Sequence, residues 1–262
     1  MIKYILILVG VSSLVACGEG SGSSHGGGNG YGAPSWSGSG SAAGSGSENT
    51  TDDAIIPYSM TPPVGLTWYV AVNNNVPLST MQSWAAKLAA TSLDLWNVSE
   101  EQVYLHRVVF TDNVAPGTNA STYYQSGTYD MMVFTGSTWD LPWGGYVQEY
   151  NGRQGHFCAV PENSSWFTNL HEASHMVFWL RWGLGTLLVD EYADGTQDDA
   201  CIMDLGFSSI RWCGSDNHVT QGAQPHSCWD QITADYSNWS YQGTNVANSS
   251  VPTTTFEYNN TP

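Results

Sequence analysis

His171-Glu172-Ala173-Ser174-His175 sets two imidazoles four residues apart with a carboxylate beside the first. On a helix, residues four apart share a face, so both rings can turn toward one divalent cation. Imidazole nitrogen suits zinc, and a catalytic zinc keeps one coordination position open for water. The metal acidifies that water. Glu172 is then placed to take the proton as the water attacks a carbonyl, and to pass it to a leaving amine. The plainer alternative is an ordinary helix with two surface histidines. A third-ligand candidate counts against it: Asp190 and Glu191 follow the Gly183/Gly185 break, and a chain that turns back there can bring either carboxylate to the metal. Asp194, Asp198, Asp199 and Asp204 extend the acidic run. Their spacing is not that of an EF-hand, so calcium is a lesser expectation beside zinc.

These residues need a scaffold. The chain has strand composition over Leu66–Val72 and Val103–Phe110, and Met131–Phe134 is a third, short and buried strand. Between the first two, Ser79 can cap a helix whose apolar positions are Met81, Trp84, Ala85, Leu88 and Leu95. Tyr146–Tyr150 and Gly155–Val160 form a hairpin around Asn151-Gly152. The two histidines fall inside a helix from about Trp166 to Trp182, capped by Ser164 or Ser165 and stopped by Gly183. Its residues 176–182 are almost wholly apolar, which favours burial over an exposed patch. A last helix starts near Ser227. The order of elements indicates an α/β domain with a loop-rich C-terminal part.

The ends read differently. Lys3 and the short apolar run Ile5–Val11 form an export signal too short to span a bilayer. Leu14-Val15-Ala16-Cys17 resembles a bacterial lipobox, which would make Cys17 the lipid-bearing residue; the alternative is an ordinary signal peptide with an incidental cysteine. Residues 1–16 are therefore signal, 17–55 a Gly/Ser tether, 56–245 the folded domain, and 246–262 a disordered tail. The expected location is the bacterial cell envelope, held by lipid at Cys17, or the extracellular space. Four further cysteines, an even number in an exported chain, point to two disulfides, with Cys158–Cys201 and Cys213–Cys228 the favoured pairing. A site made of four thiolates is disfavoured because no C-x-x-C pair occurs. With 23 acidic residues against 6 basic ones and a net charge of −17, the chain lacks the cations that neutralise nucleic-acid phosphates or anionic lipid headgroups.

The helix motif, the Asp190-Glu191-Tyr192 segment, Cys201-Ile202-Met203 and the Trp212-Cys213 and Ser227–Ile232 stretches together resemble a metzincin metalloprotease. They are most similar to the group that includes the calcium-activated chloride channel regulators and bacterial exported relatives. That resemblance implies a zincin-like domain: a mixed twisted sheet, an active-site helix, and a loop-rich C-terminal subdomain ending in a helix. It also implies zinc on His171, His175 and Asp190, Glu172 as general base, and Met203 as the floor beneath the metal. The activity implied is a peptidase whose peptide or protein substrate pairs along Tyr146–Tyr150. Asp190 lies nineteen residues after His171 (190 − 171), farther than in that group, so Glu191 stays a second candidate. Two other functions compete. One is a non-catalytic adhesin or carbohydrate-binding module using the 12 tryptophans. The other is a closed structural zinc site with His218 or His226 as an added ligand.

Overall fold

Val64–Val72 is apolar on both faces, the pattern of a strand with neighbours on either side and covered surfaces. In the computed structural model it lies inside the sheet. The structure describes residues 15–16, 49–51, 56, 59–123, 128–142, 144–149, 156–178, 201–203, 210–218, 227–244 and 247–260. The strands in chain order are β1 (Val15–Ala16), β2 (Asn49–Thr51), β3 (Val64–Val72), β4 (Val103–Thr111), β5 (Met131–Phe134), β6 (Tyr146–Glu149), β7 (His156–Pro161) and β8 (Thr255–Asn259). They form one sheet in the order β1-β6-β7-β5-β3-β4-β8, with β2 also beside β3. Strands β7, β5, β3, β4 and β8 run parallel, whereas β6 is antiparallel to β7.

Parallel neighbours require a crossover, and α1 (Leu78–Val98) supplies the one from β3 to β4. It buries Met81, Trp84, Ala85, Leu88 and Leu95, as its periodicity requires. The helix already begins at Leu78, after Pro77, with no side-chain cap, so Ser79 lies in the first turn rather than capping it. Pro77 does this work through its fixed φ and its carbonyl, which accepts from Thr80 N–H at 2.8 Å. Between β3 and β4 the backbones come close. A Cβ on Gly65 would lie 2.8 Å from both His106 Cβ and the Tyr104 hydroxyl, so glycine is required there.

The expected disordered tail is folded from 247 to 260, and the domain runs past residue 245. β8 pairs parallel with β4, Arg107 opposite Thr255 through Thr111 opposite Asn259. Phe256 and Tyr258 alternate with polar residues, the half-buried strand pattern. Tyr258 stacks on Phe110 with ring centroids 5.7 Å apart, and Arg107 donates to both oxygens of Glu257 at 2.7 and 2.9 Å. The approach to β8 is tied down by two carboxylates. Glu100 accepts from the N–H groups of Gln242 and Thr244, and Glu101 from those of Asn248 and Ser249. Both glutamates sit at positive φ, 55° and 70°, which turns their side chains toward that segment.

At the other end, the expectation of an unstructured tether is corrected at residues 49–51. Asn49–Thr51, placed in the tether by composition, pairs parallel with Val64–Leu66. Val15 and Ala16, within the signal segment, pair antiparallel with Val147 and Tyr146 of β6. Cys17 lies outside the described residues. No described helix is long and apolar enough to cross a membrane.

Two outcomes follow from this packing. Ending the chain at 246 should lower the melting temperature, and Tyr258→Ala alone should cost about 1 kcal/mol in denaturant titration. A shortened chain that melts like the full one would return this segment to a passive tail. Asp94 on α1 is the second case: burial pushes its carboxyl up to about 6. Its folded value lies above the unfolded one, so its contribution is complete below about pH 4 and is lost as pH rises through about 6. Asp94→Asn should therefore be neutral at pH 4 and stabilise by on the order of 1–3 kcal/mol at pH 8, measured by denaturation at both pH values.

Candidate metal centre

Helix α2 (Trp166–Phe178) carries the two histidines. Ser165 caps it as expected: Thr168 N–H donates to Ser165 Oγ at 3.1 Å and Asn169 N–H to the Ser165 carbonyl. From Thr168 to Phe178 every residue is buried, so this is an interior helix packed against α1, β6 and β7. The apolar stretch begins as a buried one at Met176, Val177 and Phe178; residues 179–182 lie outside the described residues.

His171 and His175 are each 1% exposed, and their Nε2 atoms face one another at 3.2 Å. His171 Nδ1 donates to the carbonyl of Ile202 at 2.8 Å. A carbonyl can only accept, so this bond fixes the His171 tautomer and leaves its Nε2 lone pair aimed at His175. Two imidazoles on one tetrahedral zinc, with bonds of ~2.0–2.1 Å, hold their nitrogens ~3.3 Å apart. The observed 3.2 Å matches that spacing.

The Glu172 carboxylate lies against Gly145, the residue before β6. A Cβ added at Gly145 would lie 2.8 Å from Glu172 Oε1 and 2.9 Å from its Cγ. Glycine there leaves room for the carboxylate. Cys158 of β7 shares this corner: burial, and then the Glu172 charge, push its thiol well up. Ser174, between the histidines, donates to the Leu170 carbonyl and accepts from Trp212 Nε1 at 2.9 Å. Phe178 ends the described helix among Trp212, Tyr236 and Trp239, with ring centroids 5.0 to 5.6 Å away.

The sequence-derived site is thus partly assembled. His171, Glu172 and His175 lie together, and the Cys201-Ile202-Met203 segment is fastened to them through Ile202. Met203 itself is buried, 2% exposed. Asp190, Glu191, the acidic residues 194–204 and His226 lie outside the described residues.

The cysteines differ from expectation. None of the four is in a disulfide. Cys201, Cys213 and Cys228 gather with all three sulfurs within 4.8 Å of one another, Cys201 and Cys228 at 3.5 Å, and could hold a metal ion. Cys158, the expected partner of Cys201, sits on β7 beside Glu172 instead. The pairing Cys158–Cys201 with Cys213–Cys228 is therefore not the arrangement of this fold. Burial raises the Cys201 thiol, but side-chain hydrogen bonds with Cys213 and Cys228 and the backbone N–H groups of Met203 and Cys213 outweigh it and leave it well below the ordinary range. Burial, and then Cys201 and Cys213 beside it, push the Cys228 thiol well up. C-x-x-C spacing does not reveal this group, because its members come from three separate segments.

No family model, curated protein or solved structure matches the chain.

Cys158 provides a direct check on the site's geometry. As a buried thiol with a raised pKa, it should resist iodoacetamide in the native protein at pH 8 and react fully once unfolded without reductant. Peptide mapping that found it oxidised would restore a disulfide role.

Proposed function

We propose that the protein is a zinc-dependent metallopeptidase with a zincin-like domain, exported and held at the cell envelope by lipid on Cys17. The observation that carries this reading is the 3.2 Å approach of His171 and His175 Nε2 inside a buried helix that also carries Glu172. Zinc is the ion that fits two neutral imidazoles, and Asp190, with Glu191 as second candidate, completes its protein ligands. When bound, zinc supplies Lewis acidity that polarises a carbonyl and acidifies water.

The chain's own residues do the rest. Ile202 orients His171. Glu172, held in an apolar corner against Gly145, accepts a proton from water and returns it to the leaving amine. The antiparallel strand β6 lies beside α2 and its outer side pairs with the extended Val15–Ala16 segment; cleavage before Cys17 would remove that segment and leave this side suited to backbone pairing with an extended peptide. Carbohydrate binding by exposed aromatics has less support: Trp68, Trp84, Trp96, Trp212, Trp229 and Trp239 are core residues, and Trp166 is the exposed tryptophan among the described residues.

Glu172→Gln should keep zinc and lose peptide cleavage by at least about a hundredfold in kcat, the usual scale for removing a general base. Gly145→Ala, which displaces Glu172 without removing it, should lower kcat with little change in zinc content. Asp190→Asn should reduce zinc affinity more than Glu191→Gln does. Metal analysis and cleavage of a mixed peptide library read all of these, and undiminished cleavage by Glu172→Gln would end the peptidase reading.

A further inference from the structure

We infer that Cys201, Cys213, Cys228 and His218 form a second, closed zinc site that is structural and separate from the His171/His175 pair. The three sulfurs lie within 4.8 Å of one another. His218 Nδ1 is 3.3 Å from Cys213 Sγ but does not lie within 4.8 Å of all three sulfurs, so a rotation of its side chain has to carry it onto the ion as the fourth ligand. A tetrahedral zinc with bonds of ~2.3 Å to sulfur and ~2.0–2.1 Å to nitrogen sets its sulfurs ~3.8 Å apart and sulfur and nitrogen ~3.5 Å apart. The observed 3.5 Å between Cys201 and Cys228 and 3.3 Å between Cys213 and His218 are close to both.

Local backbone builds the donor set. After Cys213 the chain makes a tight turn: Asn217 N–H and His218 N–H both donate to the Gly214 carbonyl, and Asn217 Oδ1 accepts from Gly214 N–H at 2.7 Å. This turn brings His218 back to Cys213. Gly214 has to be glycine, since a Cβ there would lie 2.2 Å from the Tyr241 ring. Cys228 opens α3 (Cys228–Asp235), which Ser227 and Asp230 cap reciprocally. Two further donors of its first turn point at Cys213: Cys228 N–H to the sulfur at 3.2 Å and Trp229 N–H to the carbonyl at 3.1 Å. Met203 N–H and Cys213 N–H point at Cys201 Sγ, at 3.5 and 3.4 Å. Backbone N–H groups aimed at sulfur favour thiolate, the ligand form of cysteine.

A disulfide accounts for the cluster less well. It would use two of three neighbouring sulfurs, strand the third in the interior, and give His218 no role. Three cysteines with one histidine are a complete tetrahedral set for zinc, with no position left for water or substrate. Binding exchanges three thiol protons for one ion. The site joins the segment carrying Ile202, the Trp212-Cys213 segment and α3, so its work is to hold the Ile202 carbonyl against His171.

The test uses the full chain purified with zinc. Wild type should hold two zinc ions, and His171→Ala/His175→Ala one. Cobalt substituted into that double variant should give the near-ultraviolet thiolate-to-cobalt absorption and strong visible bands of a tetrahedral sulfur-rich site. His218→Ala, which leaves all three sulfurs, should weaken retention of this ion at least about tenfold in competition with a chelator, while Cys213→Ser should abolish the thiolate absorption. A double-histidine variant with no zinc, no thiolate absorption, or a mass two hydrogens short before reduction would overturn the inference. Failure of the peptidase reading looks different: the double variant would hold as much zinc as wild type.

Discussion

The hydrogen bond from His171 Nδ1 to the Ile202 carbonyl couples two parts of the chain with separate structural origins. One is α2, an interior helix held by the sheet and α1. The other is Cys201–Met203, a segment with no regular structure, positioned by Arg211, whose carbonyl accepts from Ile202 N–H at 2.8 Å, and by the sulfurs around Cys201. Without the Ile202 carbonyl the His171 ring could take either tautomer, and a ligand nitrogen facing His175 would not be guaranteed. The geometry of the imidazole pair is in this sense set by a backbone oxygen.

Burying two imidazoles and a carboxylate costs free energy unless each is satisfied. The fold offsets this by burying the apolar residues of α2 on the same helix: Leu170, Ala173, Met176 and Val177 belong to the main core. Ser174 and Trp212 add a buried polar contact that sets the helix rotation. Polar groups in such an interior interact strongly because little water screens them.

Much of the scaffold was legible because burial writes simple periodicities. The runs around Trp68, Val108 and Val133, the hairpin, the Ser165 cap and the helix at Ser227 follow from apolar pattern and capping chemistry. The signals that failed were compositional. Residues 247–260 look like a tail because Asn, Thr and Ser dilute the alternation of Phe256 and Tyr258, and the carboxylates that anchor the segment, Glu100 and Glu101, lie about 150 residues earlier. The cysteines misled in a similar way: even parity suggests disulfides, but parity carries no geometry. Only the turn at Gly214 and the start of α3 decide which sulfurs meet. His171, Glu172 and His175 could be placed because four-residue spacing has one meaning on a helix, whereas a ligand from beyond Gly183 depends on a path that spacing does not encode.

The parallel pairing of β8 with β4 has a kinetic consequence. Arg107 and Glu257 are 150 residues apart in sequence, and the strands they join run in the same direction. Such contacts are slow to form, because a long loop must close before any pairing is gained. Until that moment the flank of β4, including Val109, offers unpaired amides and carbonyls to any extended chain nearby. A protein assembled this way is exposed to intermolecular strand pairing during maturation, and chaperoned or dilute conditions should favour its recovery in native form.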